Sequence, residues 1–365
     1  MMPKQDRIHK KIMLRSFILN KTKKSMPHIH IANIDFEQEL QSKTDTHPIY
    51  LQLQFLPLLY QKPEDALLVS QKPSTSYLEN LAKKNIYQGQ KIYCYEDTIP
   101  KNSTIESWGY SKKIALFAKK HALIYDMPDI NTVKTVHSKL FSPSLREDVC
   151  ILNSQKELKD WFEYFPFPKI LKAPLSQAGR GSLILLSKKD RKKLKPFILK
   201  ESFPLRGEKW FQRCFDFSTQ WFIQKDKTVQ FLSESVIKNS ASGKYQSTLI
   251  GDSSFCFGPY LSFLEDHKKK ASLIAEQIAA MGYFGNLGFD SFITSDTPKN
   301  RCILSEINAR KTMSYCAFVF RNQFFPQKNI LFSFTKELKG LLPTYLGKHS
   351  FKHQIQVQVL QEPLF

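Results

Sequence analysis

Gly285-Asn286-Leu287-Gly288-Phe289-Asp290-Ser291-Phe292 and, a short way downstream, Leu304-Ser305-Glu306-Ile307-Asn308-Ala309-Arg310 decide how this chain is read. Alternating apolar and polar residues predict two strands, Phe289–Thr294 and Cys302–Ile307, joined by a turn around Ser295–Asn300. Residues two apart in a strand share a face, so Glu306 and Asn308 stand together. Asp290 comes from the strand that pairs back on them. Two carboxylates and an amide oxygen on one sheet face are hard donors. They suit Mg2+, which keeps several waters and bridges to substrate phosphates. Turning three such acceptors towards a core without a cation is costly. The plain alternative is a solvated face.

Working upstream, Glu208-Lys209-Trp210-Phe211 is followed by Asp216-Phe217-Ser218, which opens an alternating strand over Phe215–Phe222. A carboxylate accepts two hydrogen bonds side by side and can hold a ribose diol. A flat side chain such as Trp210 can cover a purine. A surface Glu and a strand-end Asp account for the same residues. Further upstream, the strand-like Lys169-Ile170-Leu171-Lys172 leads through Ala173-Pro174-Leu175-Ser176-Gln177-Ala178-Gly179-Arg180-Gly181 into a second strand at Leu183–Leu186. Glycines let backbone N–H groups converge on phosphate oxygens, and Lys172 adds a point charge. The pattern is neither a Walker A nor a Rossmann loop, and a Gly-Arg-Gly turn in a hairpin would read the same way.

The remaining chain is consistent with a multi-domain globular protein. Of its 365 residues 42% are hydrophobic and 24% charged, which argues against wholesale disorder. The net charge of +21 favours polyanionic partners or simply lysine-rich solvated faces. Without zinc-finger spacing or a Gly-aromatic RNA-binding run, nucleic acid is the less favoured partner. Six cysteines without a CxxC pair read as reduced core thiols of a cytoplasmic protein, and the histidines lack metal-site spacing. The basic N-terminus has too short an apolar run for a secretory core, and no stretch reaches membrane-span length. Strands at Ala66–Val69 and Ile92–Tyr95, with helices near Tyr77–Leu81 and over Ser111–His121, predict an α/β unit with a partly parallel sheet. Helices are also predicted over Val133–Phe141, over Leu158–Tyr164, and over 266–281 with Leu273, Ile274, Ile278 and Met281 on one face. The stretch Asn239–Tyr260 has no assigned place, and Gln354–Leu360 alternates like a strand.

Taken in this order, the pieces resemble the ATP-grasp superfamily over nearly half of the chain. Glu306-Ile307-Asn308-Ala309-Arg310 after Gly288-Phe289-Asp290 is the most specific match. Upstream, Glu106-Ser107-Trp108-Gly109-Tyr110-Ser111 and His137-Ser138-Lys139 look like the segment preceding the grasp in some of these proteins. The resemblance implies a mixed α+β and α/β architecture. A basic arm at 1–30 and a pre-grasp α/β domain at 31–130 come first. A grasp domain at 131–340 follows, divided into a lid subdomain at about 150–212 and a metal-binding subdomain at about 213–340, and an extension covers 341–365.

It also implies roles. Lys139 and Lys172 would contact ATP phosphates. The loop carrying Ser176, Gly179, Arg180 and Gly181 would close over them. Glu208, Lys209, Trp210 and Phe211 would be the adenine hinge, and Asp216 would hold the ribose. Asp290, Glu306 and Asn308 would bind Mg2+ or Mn2+. Lys172 and Arg310 would neutralise the transferred phosphoryl group. Lys209 stands where such hinges often carry proline, so a second register, Glu201 as hinge and Glu208 as ribose ligand, stays open. The family's chemistry is ligation: a carboxylate is phosphorylated by ATP, and an amine or thiol attacks the acyl phosphate. Small-molecule or peptide-like acids and amines are the implied substrates. A small-molecule or protein kinase and a non-catalytic nucleotide or polyanion binder are the competing readings. Oligomeric state is not legible.

Overall fold

The computed structural model describes residues 27–43, 47–141, 148–175, 181–240, 244–295, 300–337 and 339–362. The amino-terminal sheet is wholly parallel, in the order β3-β2-β1-β4. Its strands are β1 (His28–Ile31), β2 (Ala66–Val69), β3 (Lys91–Cys94) and β4 (Thr104–Ser107). Parallel strands need crossover connections. Here these carry α1 (Phe36–Leu40), α2 (Ile49–Leu53) and α3 (Thr75–Ala82), and α4 (Lys112–Lys120) follows β4. Ser111 caps α4, its hydroxyl accepting from the Ile114 N–H at 3.3 Å. The predicted arm over 1–30 therefore ends too late, because His28 to His30 already belong to β1, a central strand.

After α5 (Ile130–His137) comes a small antiparallel sheet ordered β5-β8-β6-β7. It is built from β5 (Val149–Leu152), β6 (Lys169–Lys172), β7 (Ser182–Leu185) and β8 (Leu205–Lys209), with α6 (Gln155–Tyr164) and α7 (Leu194–Lys200) as its helices. Leu158, Trp161 and Phe162 of α6 bury against Leu152, Leu171, Leu185 and Leu205. The helix predicted over Val133–Phe141 lies earlier. Asp129 starts α5 by accepting the N–H groups of Asn131 and Thr132 at 2.9 and 3.1 Å, and the chain turns out of the helix at Ser138.

The large sheet is antiparallel, ordered β13-β12-β9-β10-β11-β14-β17. Its strands are β9 (Arg213–Ile223), β10 (Val229–Asn239), β11 (Tyr245–Ile250), β12 (Gly285–Thr294), β13 (Cys302–Asn308), β14 (Asn329–Lys336) and β17 (His353–Leu360). A short hairpin, β15 (Tyr345–Leu346) and β16 (His349–Ser350), precedes the last strand. Three helices complete this part: α8 (Ser253–Phe257), α9 (Leu261–Ala280) and α10 (Met313–Phe324). Because β17 pairs with β14 along its whole length, His353–Leu360 of the segment set apart as an extension at 341–365 is an edge strand of this sheet.

Strand alternation sorts the two faces of the large sheet. Phe217, Trp221, Phe289 and Ile293 turn to the side packed on α9 and α8. The buried face of α9 is Leu264, His267, Ala271, Ile274, Ala275 and Ile278, a helical i, i+3, i+4 stripe. Leu273 and Met281, predicted on that face, are exposed, since small alanines carry the contact instead. Asp216, Ser218, Gln220, Asp290, Glu306 and Asn308 occupy the opposite face. All six cysteines are free, and Cys214 is exposed rather than in a core. Among the described residues no helix is long and apolar enough to cross a membrane.

Candidate active site

The register of three strands brings the acidic residues together. Asp290 lies opposite Glu306 on one side and opposite Ser218 on the other, and Asn308 lies opposite Gly288. The three predicted metal ligands therefore share one face. Asn308 Nδ2 donates to Asp290 Oδ2 at 2.9 Å, and the Ser218 hydroxyl donates to Asp290 Oδ1 at 2.7 Å. Gln220 donates to Ser218 Oγ at 2.8 Å, and the Thr312 hydroxyl to Gln220 Oε1 at 2.7 Å. This chain of donors fixes the Asp290 carboxylate. Burial, with Glu306 alongside, pushes its pKa up to about 6.

Two buried lysines complete the charge pattern. Lys139, 7% exposed, reaches Glu306 Oε1 at 3.5 Å. Lys172, at the end of β6, pairs with Glu208 of β8. Burial lowers the Lys172 ammonium to about 8, with Glu208 opposing the shift. Arg206 was not legible as a functional residue. It is fully buried and joins the two halves, Nη2 donating to Glu208 Oε2 at 2.6 Å and Nη1 to the Lys139 carbonyl at 2.8 Å. Its only signal in the sequence is its place two residues before Glu208, on the same face of a strand.

The segment predicted as the hinge follows directly. Lys209 ends β8, and the Trp210 N–H donates to the Pro168 carbonyl at 3.0 Å. Phe211 is buried with its ring 6.0 Å from Phe292. The Arg213 guanidinium lies over the rings of Phe292 and Trp210 at 4.1 and 5.3 Å. Asp216 is 3.2 Å from Arg213, and burial outweighs that neighbour to raise its carboxyl pKa. Glu201, the alternative hinge residue, sits at the end of α7 and reaches Lys43 at 3.8 Å. Gly181 has a left-handed φ of 70°, and its carbonyl accepts from the Ala173 N–H at 2.7 Å. Ser176, Gly179 and Arg180 lie outside the described residues.

Arg310 follows Asn308 and turns towards the amino-terminal domain. Its Nε donates to Glu37 Oε1 at 2.8 Å and its Nη1 to the Lys311 carbonyl at 3.0 Å. The Lys311 ammonium donates to Glu106 Oε2 and to the Ser107 carbonyl, both at 2.8 Å. Burial alone would raise the Glu37 carboxyl, but Arg310 and His137 beside it hold it at about 2. Lys311 holds Glu106 at about 2 as well. Neither Glu37 nor Lys311 stood out in the sequence, where nothing pairs them.

Among the described residues no three His, Cys, Asp or Glu side chains cluster at metal-binding distance. The donor set here is two carboxylates and an amide oxygen. It still fits a hard divalent ion: Asp290 and Glu306 face each other on paired strands, and the strained Asp290 charge is the kind a cation relieves. Turning the Asn308 amide about its last bond would present an oxygen in place of the N–H2 that now meets Asp290.

No protein-family model and no curated protein matches the chain. Solved structures do. N5-carboxyaminoimidazole synthetase from Staphylococcus aureus, complexed with ADP, is 12% identical with a TM-score of 0.58, covering 94% of this chain and 95% of that one. The biotin carboxylase domain of the Hydrogenobacter thermophilus 2-oxoglutarate carboxylase, solved with MgADP, ADP and bicarbonate, is 13% identical with a TM-score of 0.54 over 86% and 76%. Pyruvate carboxylase from Rhizobium etli is 13% identical with a TM-score of 0.57, covering 93% of this chain and 36% of that one. With a parallel amino-terminal sheet, a small antiparallel sheet and a large antiparallel sheet bearing paired acidic residues, this chain has the ATP-grasp fold.

Proposed function

We propose that the chain is an ATP- and Mg2+-dependent ligase that joins a carboxylate to an amine through an acyl phosphate. One observation carries the reading: buried Lys139 sits on Glu306 of the Asp290, Glu306 and Asn308 face, and Arg206 ties the Lys139 carbonyl to Glu208, the carboxylate that holds buried Lys172. A triphosphate would fit that pattern, with Lys139 and Lys172 on its oxygens and the hinge from Glu208 to Phe211 lending backbone groups to adenine. The Glu208 carboxylate is committed to Lys172 and Arg206, which favours Asp216 over Glu208 for the ribose. Mg2+ held by Asp290, Glu306 and Asn308 would supply charge neutralisation on the phosphates.

This chain's own residues do the rest. Lys172 and Arg310 stabilise charge spreading over the transferred phosphoryl group, and their fixed positions avoid reorganisation in the transition state. No side-chain nucleophile is needed. Six free thiols are in keeping with a cytoplasmic setting.

Incubation with Mg2+-ATP and a panel of acids and amines tests the proposal. Bicarbonate, the anion bound in the Hydrogenobacter structure, is the natural first acid. ADP and free phosphate together with an amide or carbamate are expected. A stable phosphorylated product would favour a kinase, and tight ATP binding without turnover a nucleotide-binding protein.

A further inference from the structure

We propose that Glu37 is a positioning residue for Arg310, so that the amino-terminal domain completes the catalytic site. The inference rests on the ligase reading for what Arg310 does, and on geometry alone for what holds it. Glu37 is 2% exposed, in a five-residue helix of the parallel-sheet domain. A carboxylate buried to that degree is costly unless its partners are fixed. Its Oε1 accepts from Arg310 Nε at 2.8 Å and from His137 Nε2 at 3.1 Å. His137 Nδ1 in turn accepts from the Ala309 N–H at 3.2 Å, which leaves the imidazole hydrogen on Nε2, aimed at Glu37. Glu37, His137 and Ala309-Arg310 thus close a ring of contacts between two domains and the helix that joins them.

The consequence falls on the guanidinium. Its Nε and Nη1 are both engaged, and Nη2 has no protein partner among the described residues. The next residue is pinned as well: the Lys311 ammonium sits on Glu106 and the Ser107 carbonyl, and its N–H donates to the Trp108 carbonyl at 2.9 Å. Two successive cations leaving the metal-binding strand are therefore anchored on two carboxylates of the amino-terminal domain. A free arginine side chain carries rotamer entropy that would otherwise be lost in each turnover. Fixing it beforehand leaves Nη2 oriented for a phosphoryl or carboxylate oxygen. An ordinary domain staple would affect stability and leave turnover alone, which separates the two roles.

The test uses the full chain carrying Glu37→Gln, with two readouts. The first is turnover, followed as ADP release with Mg2+-ATP, bicarbonate and an amine panel. The second needs no substrate: the Nε–H proton resonance of Arg310 in arginine-labelled protein, assigned with Arg310→Lys. Expected are a kcat lowered tenfold or more, a KM for ATP within about threefold of wild type, and an Nε–H resonance moved towards that of free arginine. Should Glu37→Gln fail to fold, Glu37→Asp keeps the charge one methylene shorter and should give an intermediate kcat. Wild-type kcat in a variant whose resonance has moved would overturn the positioning role. An unmoved resonance would overturn the contact itself. If wild type releases no ADP with any acid or amine, the ligase reading fails and the catalytic role of Glu37 fails with it. The resonance then reports only whether Glu37 holds Arg310.

Discussion

Replacing Asp290 by Asn should stabilise the metal-free protein while removing its capacity for Mg2+-ATP. The carboxyl stands at about 6, against an ordinary value of 3.8, because it is partly buried beside Glu306. At about 1.36 kcal/mol per unit that difference is about 3 kcal/mol held against the folded state at neutral pH. The sign follows from proton binding. Between pH 4 and 6 the folded protein keeps a proton that the unfolded chain has lost, so stability falls as pH rises through this window. Asparagine at 290 is neutral throughout. Its oxygen can still accept from Ser218, and Asn308 can turn its amide to meet the new N–H2. Urea unfolding in chelator should give near-equal stabilities at pH 4 and a variant more stable by about 2–3 kcal/mol at pH 7.5. Mg2+-ATP should raise the wild-type midpoint at pH 7.5 and leave that of the variant unchanged. A variant less stable than wild type at pH 7.5, with a stability difference independent of pH, would refute the reasoning.

Four further outcomes follow from the packing. Lys172→Ala should weaken ATP binding at least tenfold by calorimetry, while Arg206 continues to hold Glu208. Arg206→Met should cost about 3–5 kcal/mol in urea unfolding, because it leaves the Lys139 carbonyl without that donor and a buried Glu208 with one cation fewer. Gly207→Ala would place a Cβ 2.6 Å from the Trp161 ring, so a loss of about 1–3 kcal/mol and early proteolytic cleavage within the small antiparallel sheet are expected. Ile278→Ala, in the fully buried stripe of α9, should cost about 2–5 kcal/mol without changing ATP affinity at temperatures where the protein stays folded.

Local period determined much of this protein. Alternation in β12 and β13 was enough to put Glu306 and Asn308 on one face and to bring Asp290 back beside them, because a strand's side-chain direction is settled by its immediate neighbours. The same holds for Lys172 at the end of β6. Two placements within the helices were misread. The α9 face was assigned to its largest apolar residues, although the sheet it meets leaves room for alanines, and the start of α5 was set by Asp129. Tertiary structure alone decided the rest. Gln354–Leu360 reads as a strand, but nothing local says that it pairs with β14. Glu37 meets Arg310 across 273 positions, and Glu106 meets Lys311 across 205. No periodicity carries such a contact, which exists only because the parallel sheet and the large sheet are packed with those side chains between them.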